Sequence, residues 1–305
     1  LLQPAIEVHG RGDRWRLTQL WYQQDFAGGD LNLRVGRMNP GTDFHAFACA
    51  FQNLTFCGSQ PGNLAGDYWY NWPVSQWGLR LKRRFASGYL EAGAYQVSRK
   101  NVTDEVRLSP SGGDGVLLPV EIAWTPKLGP ARLPGTFKLG AWYSTARRDD
   151  VLLDVAGRPR SLTGAPARAR GGGRGVYVSV EQQVTGAPDG RGLGLFLNAT
   201  QTDRKTTRLD RQIAAGLNWT GPFAARGQDV LGLAFGATRV NPRAALARRL
   251  AGERAPRTEY VAEVDYRVQG PKGLTVTPNL QWVENPGGLD RKAAVVAGLK
   301  VIVGL

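Results

Sequence analysis

The segment Gly135-Thr-Phe-Lys-Leu-Gly-Ala-Trp-Tyr-Ser-Thr145 alternates between two kinds of side chain over its whole length. One face is mainly apolar and the other mainly polar or small: Phe137, Leu139, Ala141 and Tyr143 against Thr136, Lys138, Gly140, Trp142 and Ser144. Successive side chains of a β-strand point to opposite faces, so this pattern predicts a strand. Its length is close to the 9–11 residues that a tilted membrane-spanning strand needs.

The same period of two recurs along the chain and predicts an all-β fold. We expect fourteen strands, at 4–9, 15–24, 31–39, 76–86, 89–99, 116–126, 135–146, 174–184, 191–201, 210–220, 228–238, 257–268, 273–285 and 292–302. Charged side chains share the face opposite the apolar one, which a water-filled lumen tolerates and a sandwich core does not. The sequence therefore predicts one domain, residues 1–305, forming an antiparallel transmembrane β-barrel of the porin type.

The connections between these strands alternate in length. Short ones are expected at 25–30, 87–88, 127–134, 185–190, 221–227 and 269–272. Longer ones are expected at 40–75, 100–115, 147–173, 239–256 and 286–291, with 10–14 and 202–209 the shorter members of that set. Short turns at one end and long loops at the other are typical of bacterial outer-membrane barrels, whose long loops face outward.

Aromatic side chains and the start of the chain bear on the cellular location. The apolar faces often end in an aromatic residue, which suits the interfacial girdle of a membrane barrel. These residues are Trp77, Trp124, Tyr143, Trp219 and Trp282. Leu1-Leu-Gln-Pro is too short for a secretory leader, so we expect a mature or trimmed chain.

The formal net charge of +14 raises the question of a nucleic-acid partner. Most of the excess lies in two arginine-rich stretches, 147–174 and 239–257, and both are predicted loops. Neither contains an aromatic residue on which bases could stack, so no nucleic-acid partner is expected. We expect these loops to meet outer-membrane lipids and the phosphates of lipopolysaccharide, or simply to be solvated.

The longest predicted loop, residues 40–75, contains Phe44, Phe47, Phe51, Leu54 and Phe56. So large an apolar patch is not expected on an exposed loop. We expect this loop to fold inward and form a constriction that sets selectivity. The alternative is a loop that covers a subunit interface.

The same loop holds the two cysteines of the chain, Cys49 and Cys57. A structural disulfide formed in an oxidising compartment is favoured, and a free pair is the alternative. With only two histidines in the chain, a zinc site is not expected.

Polar residues on the predicted inner face are the candidate pore lining. They are Arg34, Arg80, Lys82, Arg84, Glu121, Trp142, Glu181, Asn198, Glu263, Asp265, Asn279, Gln281 and Lys300. Planar polar groups and an aromatic platform are what sugar recognition requires, although each residue taken alone could simply line a solvated wall. No spacing typical of a catalytic triad, phosphate loop or metal cluster is present, so neither enzyme activity nor a cofactor is expected.

Two motifs carry a resemblance to a known family. Leu31-Asn-Leu-Arg-Val-Gly-Arg37, followed by Asp43-Phe44 and by the cysteine pair, resembles the carbohydrate-selective porin (OprB) family, as does Leu274-Thr-Val-Thr-Pro-Asn-Leu-Gln-Trp-Val-Glu-Asn-Pro-Gly-Gly288. The resemblance implies a 16-stranded barrel, a trimer or a monomer, that passes glucose and other monosaccharides by diffusion. It also implies that the first two strands are absent here. Arg37 and Asp43 join the pore-lining candidates.

The basic side chains of the predicted lumen bear on the solute. Arg34, Arg80, Lys82, Arg84 and Lys300 favour anions, so sugar acids and phosphorylated sugars are expected beside neutral hexoses. Three alternatives stay open: a general anion porin without a sugar site, an outer-membrane scaffold or exporter component, and a soluble basic binding module.

Overall fold

The alternating segments form one large antiparallel sheet in the computed structural model, which describes residues 1–7, 15–103, 106, 108–271 and 273–304. The strands are β1 Leu20–Phe26, β2 Leu31–Met38, β3 Gln76–Phe85, β4 Gly88–Val97, β5 Gly115–Trp124, β6 Lys127–Leu128, β7 Leu133–Ser144, β8 Arg148–Asp154, β9 Ala167–Arg170, β10 Gly173–Gln183, β11 Gly192–Thr202, β12 Leu209–Thr220, β13 Val230–Val240, β14 Thr258–Gln269, β15 Leu274–Glu284 and β16 Ala294–Val303. The helices are α1 Pro40–Asp43, α2 Gln60–Leu64, α3 Lys100–Thr103, α4 Arg160–Thr163 and α5 Pro242–Leu250.

Strand order follows the chain. The main sheet runs from β1 to β16 through β5, β7 and β10, with the short β6 paired to β7. Within the described part of the chain, β1 and β16 form the two edges of this sheet. The long connections all leave the strands at one end of the sheet, the long-loop edge, and the short turns lie at the opposite end. No helix in the described residues is both long enough and apolar enough to cross a bilayer.

Thirteen of the fourteen predicted strands are confirmed, and the strand predicted at 4–9 is wrong for its described part. Residues 4–7 form no strand, and residues 8 and 9 lie outside the described residues. The backbone there pairs elsewhere. The Pro4 carbonyl accepts a bond of 2.9 Å from Leu54 N, and the Ala5 carbonyl accepts one of 2.8 Å from the Gln281 side chain. These bonds replace a neighbouring strand.

Several of the predicted long loops contain helices or strands, and the longest of these elements lie in two of them. Strands β8 and β9 form a separate hairpin inside the connection at 147–173, and α5 lies inside the connection at 239–256. Helix α5 begins with a cap that its sequence encodes: the Asn241 side chain accepts a bond of 2.9 Å from Arg243 N, and Pro242 occupies the first turn. The Arg243 guanidinium lies 2.8 Å from Asp150 of the hairpin, which joins the two loops.

The two faces of the main sheet have opposite polarity. Glu121 is completely buried, whereas the next residue, Ile122, is 50% exposed. The same holds along the strands, where apolar side chains such as Leu139 and Leu280 are exposed on the outer face. A soluble protein would bury the apolar face instead, so this inversion is what a surrounding lipid phase requires.

Residues 40–75 cover the polar face of the sheet. Their aromatic side chains pack in two clusters against the strands, one around Phe44 and Trp69 and the other around Phe51 and Phe56. Gly236 allows this approach, because a Cβ atom there would lie 2.4 Å from Thr55 and 2.9 Å from the Phe56 ring. The loop and the inner face of the sheet therefore form one packed unit.

Candidate functional site

Two buried glutamates of the sheet bind the backbone of the covering loop. The Glu121 carboxylate on β5 accepts a bond of 2.8 Å from His45 N and bonds of 2.7 Å from the hydroxyls of Tyr89 and Tyr177. A carboxylate needs several donors to be stable away from water, and here three are supplied. Glu121 was predicted as pore lining, but the structure places it beneath the loop.

Glu263 on β14 binds the backbone near the middle of the loop. Its two oxygens accept bonds of 2.8 Å from Gln52 N and 2.9 Å from Asn53 N, and Asn279 Nδ2 donates at 2.6 Å. Gln281 continues this network, because its Oε1 accepts a bond of 2.9 Å from the Asn53 side chain. These predicted polar residues therefore position the loop.

The predicted Cys49–Cys57 disulfide is confirmed and closes a short segment of the loop. Three further bonds hold the loop within this segment and on either side of it. Lys138 Nζ donates to the Ala46 carbonyl, Arg267 donates to the Ala50 carbonyl at 3.0 Å, and Thr200 donates to Gln60 Oε1 at 2.9 Å. The loop is thus held by strands across most of the sheet.

A row of three cations lies on β2 and β3, next to the start of the loop. Arg34 and Arg80 are directly paired across the two strands, and Lys82 follows on β3. Arg34 Nη1 lies 3.0 Å from Asp43 of the loop, Arg80 Nε lies 3.5 Å from the same carboxylate, and Lys82 Nζ lies 3.0 Å from Glu91. The two carboxylates offset the repulsion that adjacent like charges would otherwise cause.

The three side chains of this cation row differ in their exposure to solvent. The side chains of Arg34 and Lys82 are 18% and 19% exposed, whereas Arg80 is 3% exposed. The Arg34 guanidinium lies 4.5 Å from the ring centroid of Trp21, and Lys82 Nζ lies 4.1 Å from that of Tyr89. These contacts orient the two accessible cations.

Two other predicted lining residues are buried. Arg37 donates to the Ser75 carbonyl at 2.7 Å, where the loop returns to β3. Trp142 is 4% exposed, and its ring stacks on Tyr177 at a centroid distance of 6.2 Å. Its indole nitrogen donates to the Tyr68 hydroxyl at 3.1 Å. The Trp142 ring therefore supports the loop and is not an open platform.

Sequence reasoning missed Glu91, the partner of Lys82 and of Arg80. The sequence did indicate that Glu91 lies on the polar face, because it alternates with Leu90 and Ala92. The register of β3 and β4 then places it opposite Lys82. Tyr89 and Tyr177, which bind Glu121, were missed as well. A tyrosine in a strand gives no indication of which side chain its hydroxyl contacts.

His45 is completely buried in the loop. Burial, and secondarily the Lys138 charge, lower the pKa of this imidazole to about 3. Its Nδ1 accepts a bond of 3.3 Å from Gln60 N, and its ring lies edge-on to Tyr177 at 4.7 Å. It is therefore neutral at ordinary pH and structural. In the described residues, no group of His, Cys, Asp and Glu side chains could hold a metal ion.

The arginine-rich loops are partly neutralised from within. Asp150 in the hairpin is bound by Arg170 at 3.0 Å and Arg243 at 2.8 Å. Its pKa is lowered to about 2, against the opposing effect of burial, by bonds from the backbone of Leu152 and Leu153 and from both guanidiniums. Other arginines at this edge, such as Arg160 and Arg208, are exposed.

Comparison with known proteins places this geometry in a family. Residues 2–305 match the family model described as "Carbohydrate-selective porin, OprB family". The chain is 45% identical to Porin B of Pseudomonas aeruginosa over 97% of its own length and 69% of that protein. It is 32% identical to the putative porin QuiX of Acinetobacter baylyi, over 97% of this chain and 70% of that one.

Two solved structures extend the comparison. The high-pH structure of Pseudomonas putida OprB matches with a TM-score of 0.94 and 41% identity, over 98% of this chain and 76% of that one. The low-pH structure of the same protein matches with a TM-score of 0.60 and 29% identity, over 95% and 67%. The family resemblance, the all-β porin architecture and the outer-membrane location expected from the sequence are confirmed. The chain belongs to the OprB family of carbohydrate-selective porins, which are transport proteins of the bacterial outer membrane.

Proposed function

We propose that the protein passes glucose and other monosaccharides, including sugar acids, by diffusion, and that residues 40–75 form the constriction of its channel. The cation row of Arg34, Arg80 and Lys82 beside Asp43 is the observation that carries this proposal. It lies where the polar face of the sheet meets the loop, and two of its members reach solvent.

Positive and negative side chains lie side by side in the cation row and its acidic partners, and this arrangement suits a sugar. Each sugar hydroxyl can donate to a carboxylate and accept from a guanidinium or an ammonium group, so a mixed row replaces part of the hydration shell that the solute loses. The excess of cations in the row attracts a sugar acid further. The polar groups are also held in place by one another, which lowers the cost of ordering them around a passing solute.

We also propose that the long-loop edge faces outward and meets lipopolysaccharide. Arg249, Arg254 and Arg257 line an open cavity of about 650 Å³ at that edge, with Asp290 as its acidic member. Phosphate groups are bound well by clustered arginines, which supports this assignment.

Reconstitution into planar bilayers tests the proposed solute. We expect anion preference in the reversal potential and a decrease of ion current on adding glucose. A unit charge about 8 Å from the permeating ion is worth about 0.5 kcal/mol in water, with opposite signs for an anion and a cation, so Arg34→Ala should lower the anion-to-cation permeability ratio about fivefold. Arg191→Ala is the matched control, because Arg191 lies in a short turn and pairs with Asp189.

Each contrary result selects a different alternative. Cation preference in the unsubstituted protein would refute the role of the cation row. Anion preference without any effect of glucose would favour a general anion porin. Liposomes that contain the protein but do not swell in sugar solutions would favour an outer-membrane scaffold.

A further inference from the structure

A cavity of about 300 Å³ lies between the covering loop and strands β7, β10, β11 and β12. Glu181 lies two residues before the end of β10, Gly194 two residues after the start of β11, and Asn218 two residues before the end of β12. Short turns follow or precede these ends, so we call this the short-turn cavity. No member of the cation row lines it. Its volume is at the lower end of the range of small-molecule sites and is enough for one monosaccharide.

The register of the strands places three polar side chains around the cavity. Glu181 is paired with Thr136 on β7 and with Phe196 on β11, and Asn218 on β12 is paired with Gly194. Directly paired residues share a face of the sheet and lie about 5 Å apart. All five line the cavity, so a carboxylate, a hydroxyl and an amide meet there.

These polar groups are accessible to a solute. The side chains of Thr136, Glu181 and Asn218 are partly exposed, and none of them bonds to another residue within the described ranges. Both Glu181 oxygens, the Thr136 hydroxyl and Asn218 Nδ2 reach the surface, whereas Asn218 Oδ1 is buried. The cavity therefore offers a carboxylate that accepts, an amide nitrogen that donates and a hydroxyl that can do either.

Two partly exposed rings, Phe47 and Phe196, supply the apolar part of the lining. Phe47 of the loop lies edge-on to His45 at a centroid distance of 5.4 Å, and Phe196 of β11 lies 5.7 Å from Phe51. These neighbours hold the two rings in place. Aromatic rings beside polar groups match a pyranose, whose C–H face is apolar and whose edge carries hydroxyls.

Charge distinguishes the short-turn cavity from the cation row. Among the described residues that line it, Glu181 is the only ionisable one. Lys138 and Arg267, which donate to the loop at Ala46 and Ala50, do not line it. A single carboxylate accepts hydrogen bonds from sugar hydroxyls but repels a sugar acid. The cavity and the cation row therefore favour solutes of different charge.

We infer that the short-turn cavity is a separate binding site for a neutral monosaccharide, which the Glu181 carboxylate, the Thr136 hydroxyl and the Asn218 amide bind against the two phenylalanine rings. The inference rests on the proposed passage of sugars and adds a site apart from the cation row. With the long-loop edge facing outward, as proposed, a sugar reaches this site only after it has passed the loop.

Glu181→Gln tests the charge of the site in planar bilayers, with glucose and gluconate as probes. The substitution keeps the shape of the side chain and removes its charge. The glucose concentration that halves the ion current should rise about fivefold, because a charged acceptor binds a hydroxyl more strongly than a neutral one. The half-blocking concentration of gluconate should fall about twofold, because a repulsion is removed. Asp189→Asn, in the adjoining turn and outside the lining, is the control and should change neither.

Gly194→Leu tests the space of the site. A Cβ atom at Gly194 would have only Asn218 O within 4 Å, at 3.8 Å, so a larger side chain starts in open space and fills the cavity. Glycine weakens the interior of a strand, so we expect an unchanged or higher melting temperature together with at least a tenfold higher half-blocking concentration of glucose. Ala199→Leu is the control, because it adds bulk at an outward-facing position of the same strand.

The outcomes separate the site from the proposed function. If glucose blocks the unsubstituted protein but both variants stay within twofold of it, the short-turn site is refuted and the proposed function stands. The same conclusion holds if Glu181→Gln shifts glucose and gluconate in the same direction, as a purely structural residue would. Should Gly194→Leu fail to fold, the opposite shifts in Glu181→Gln decide alone. If glucose neither blocks nor permeates, both the site and the proposed function fail.

Discussion

Replacing Glu263 by glutamine tests how the covering loop is held. Each carboxylate oxygen of Glu263 accepts a bond from a backbone N–H of the loop, Gln52 N at 2.8 Å and Asn53 N at 2.9 Å. A glutamine amide has only one oxygen. In either orientation its NH₂ group therefore faces a backbone donor that cannot become an acceptor, and one of the two bonds is lost.

The magnitude follows from these bonds. Losing a hydrogen bond to a charged group costs about 2 kcal/mol, and making the remaining bond neutral costs about 1 kcal/mol more. A total of about 3 kcal/mol raises the undocked fraction of the loop roughly a hundredfold. Glu121→Gln should have a smaller effect, roughly tenfold, because the amide can turn its NH₂ group toward the Tyr89 hydroxyl, which is able to accept.

Limited proteolysis with chymotrypsin measures the undocked fraction. Phe51 and Phe56 are each 1% exposed, so cleavage beside them requires the loop to leave the sheet. When docking is fast, the cleavage rate follows the open population. Glu181→Gln is the matched control, because Glu181 lines a cavity beside Phe47 and Phe51 and, among the described residues, makes no hydrogen bond to the loop. A Glu263→Gln rate within threefold of the unsubstituted protein, or below that of Glu121→Gln, would refute the reasoning.

Three further predictions concern the same loop. Cys49→Ser opens a cross-link that spans eight residues and should lower the free energy of unfolding by about 2.5 kcal/mol by the chain-entropy model. Denaturant unfolding measures this loss. The unsubstituted protein with its disulfide reduced is the control and should be as stable as Cys49→Ser. Gly236→Val should displace Thr55 and Phe56 and change single-channel conductance, whereas Ala237→Val, on the adjacent outward-facing position, should not. Because the folded pKa of His45 is about 3 and its usual value is 6.5, docking should weaken up to tenfold per pH unit as pH falls from 6.5 toward 3. His45→Asn should lack this slope in limited proteolysis with pepsin, which is active at acid pH.

The strands were largely predictable because alternation is a local property. In any strand, successive side chains point to opposite faces, as those of Lys138 and Leu139 do in β7. The sequence alone therefore identifies the two faces. The start of α5 at Asn241 and Pro242 carries an equally local signal, although it was not used in the prediction. The failure at residues 4–7 has the opposite cause, since their backbone partners, Leu54 and Gln281, are far away in the chain.

The inner-face residues show where local reasoning ends. Glu121 and Trp142 were predicted to line the channel because they lie on the polar face, and Arg37 because it belongs to the family motif. The structure places all three beneath the loop, and exposure decides that Arg34 and Lys82, unlike Arg80, are the accessible members of the cation row. Which inward-facing residue is covered depends on where a distant loop lies, and alternation contains no information about that.

The sequence by itself determined the all-β architecture, the two faces of each strand, the sorting of long and short connections and the cysteine pair, because each depends on residues close together in the chain. Only the tertiary structure decided that Glu121 and Glu263 hold the loop and that Glu91 pairs with Lys82. Those contacts join segments up to about two hundred residues apart, and the folding of the loop onto the sheet creates them.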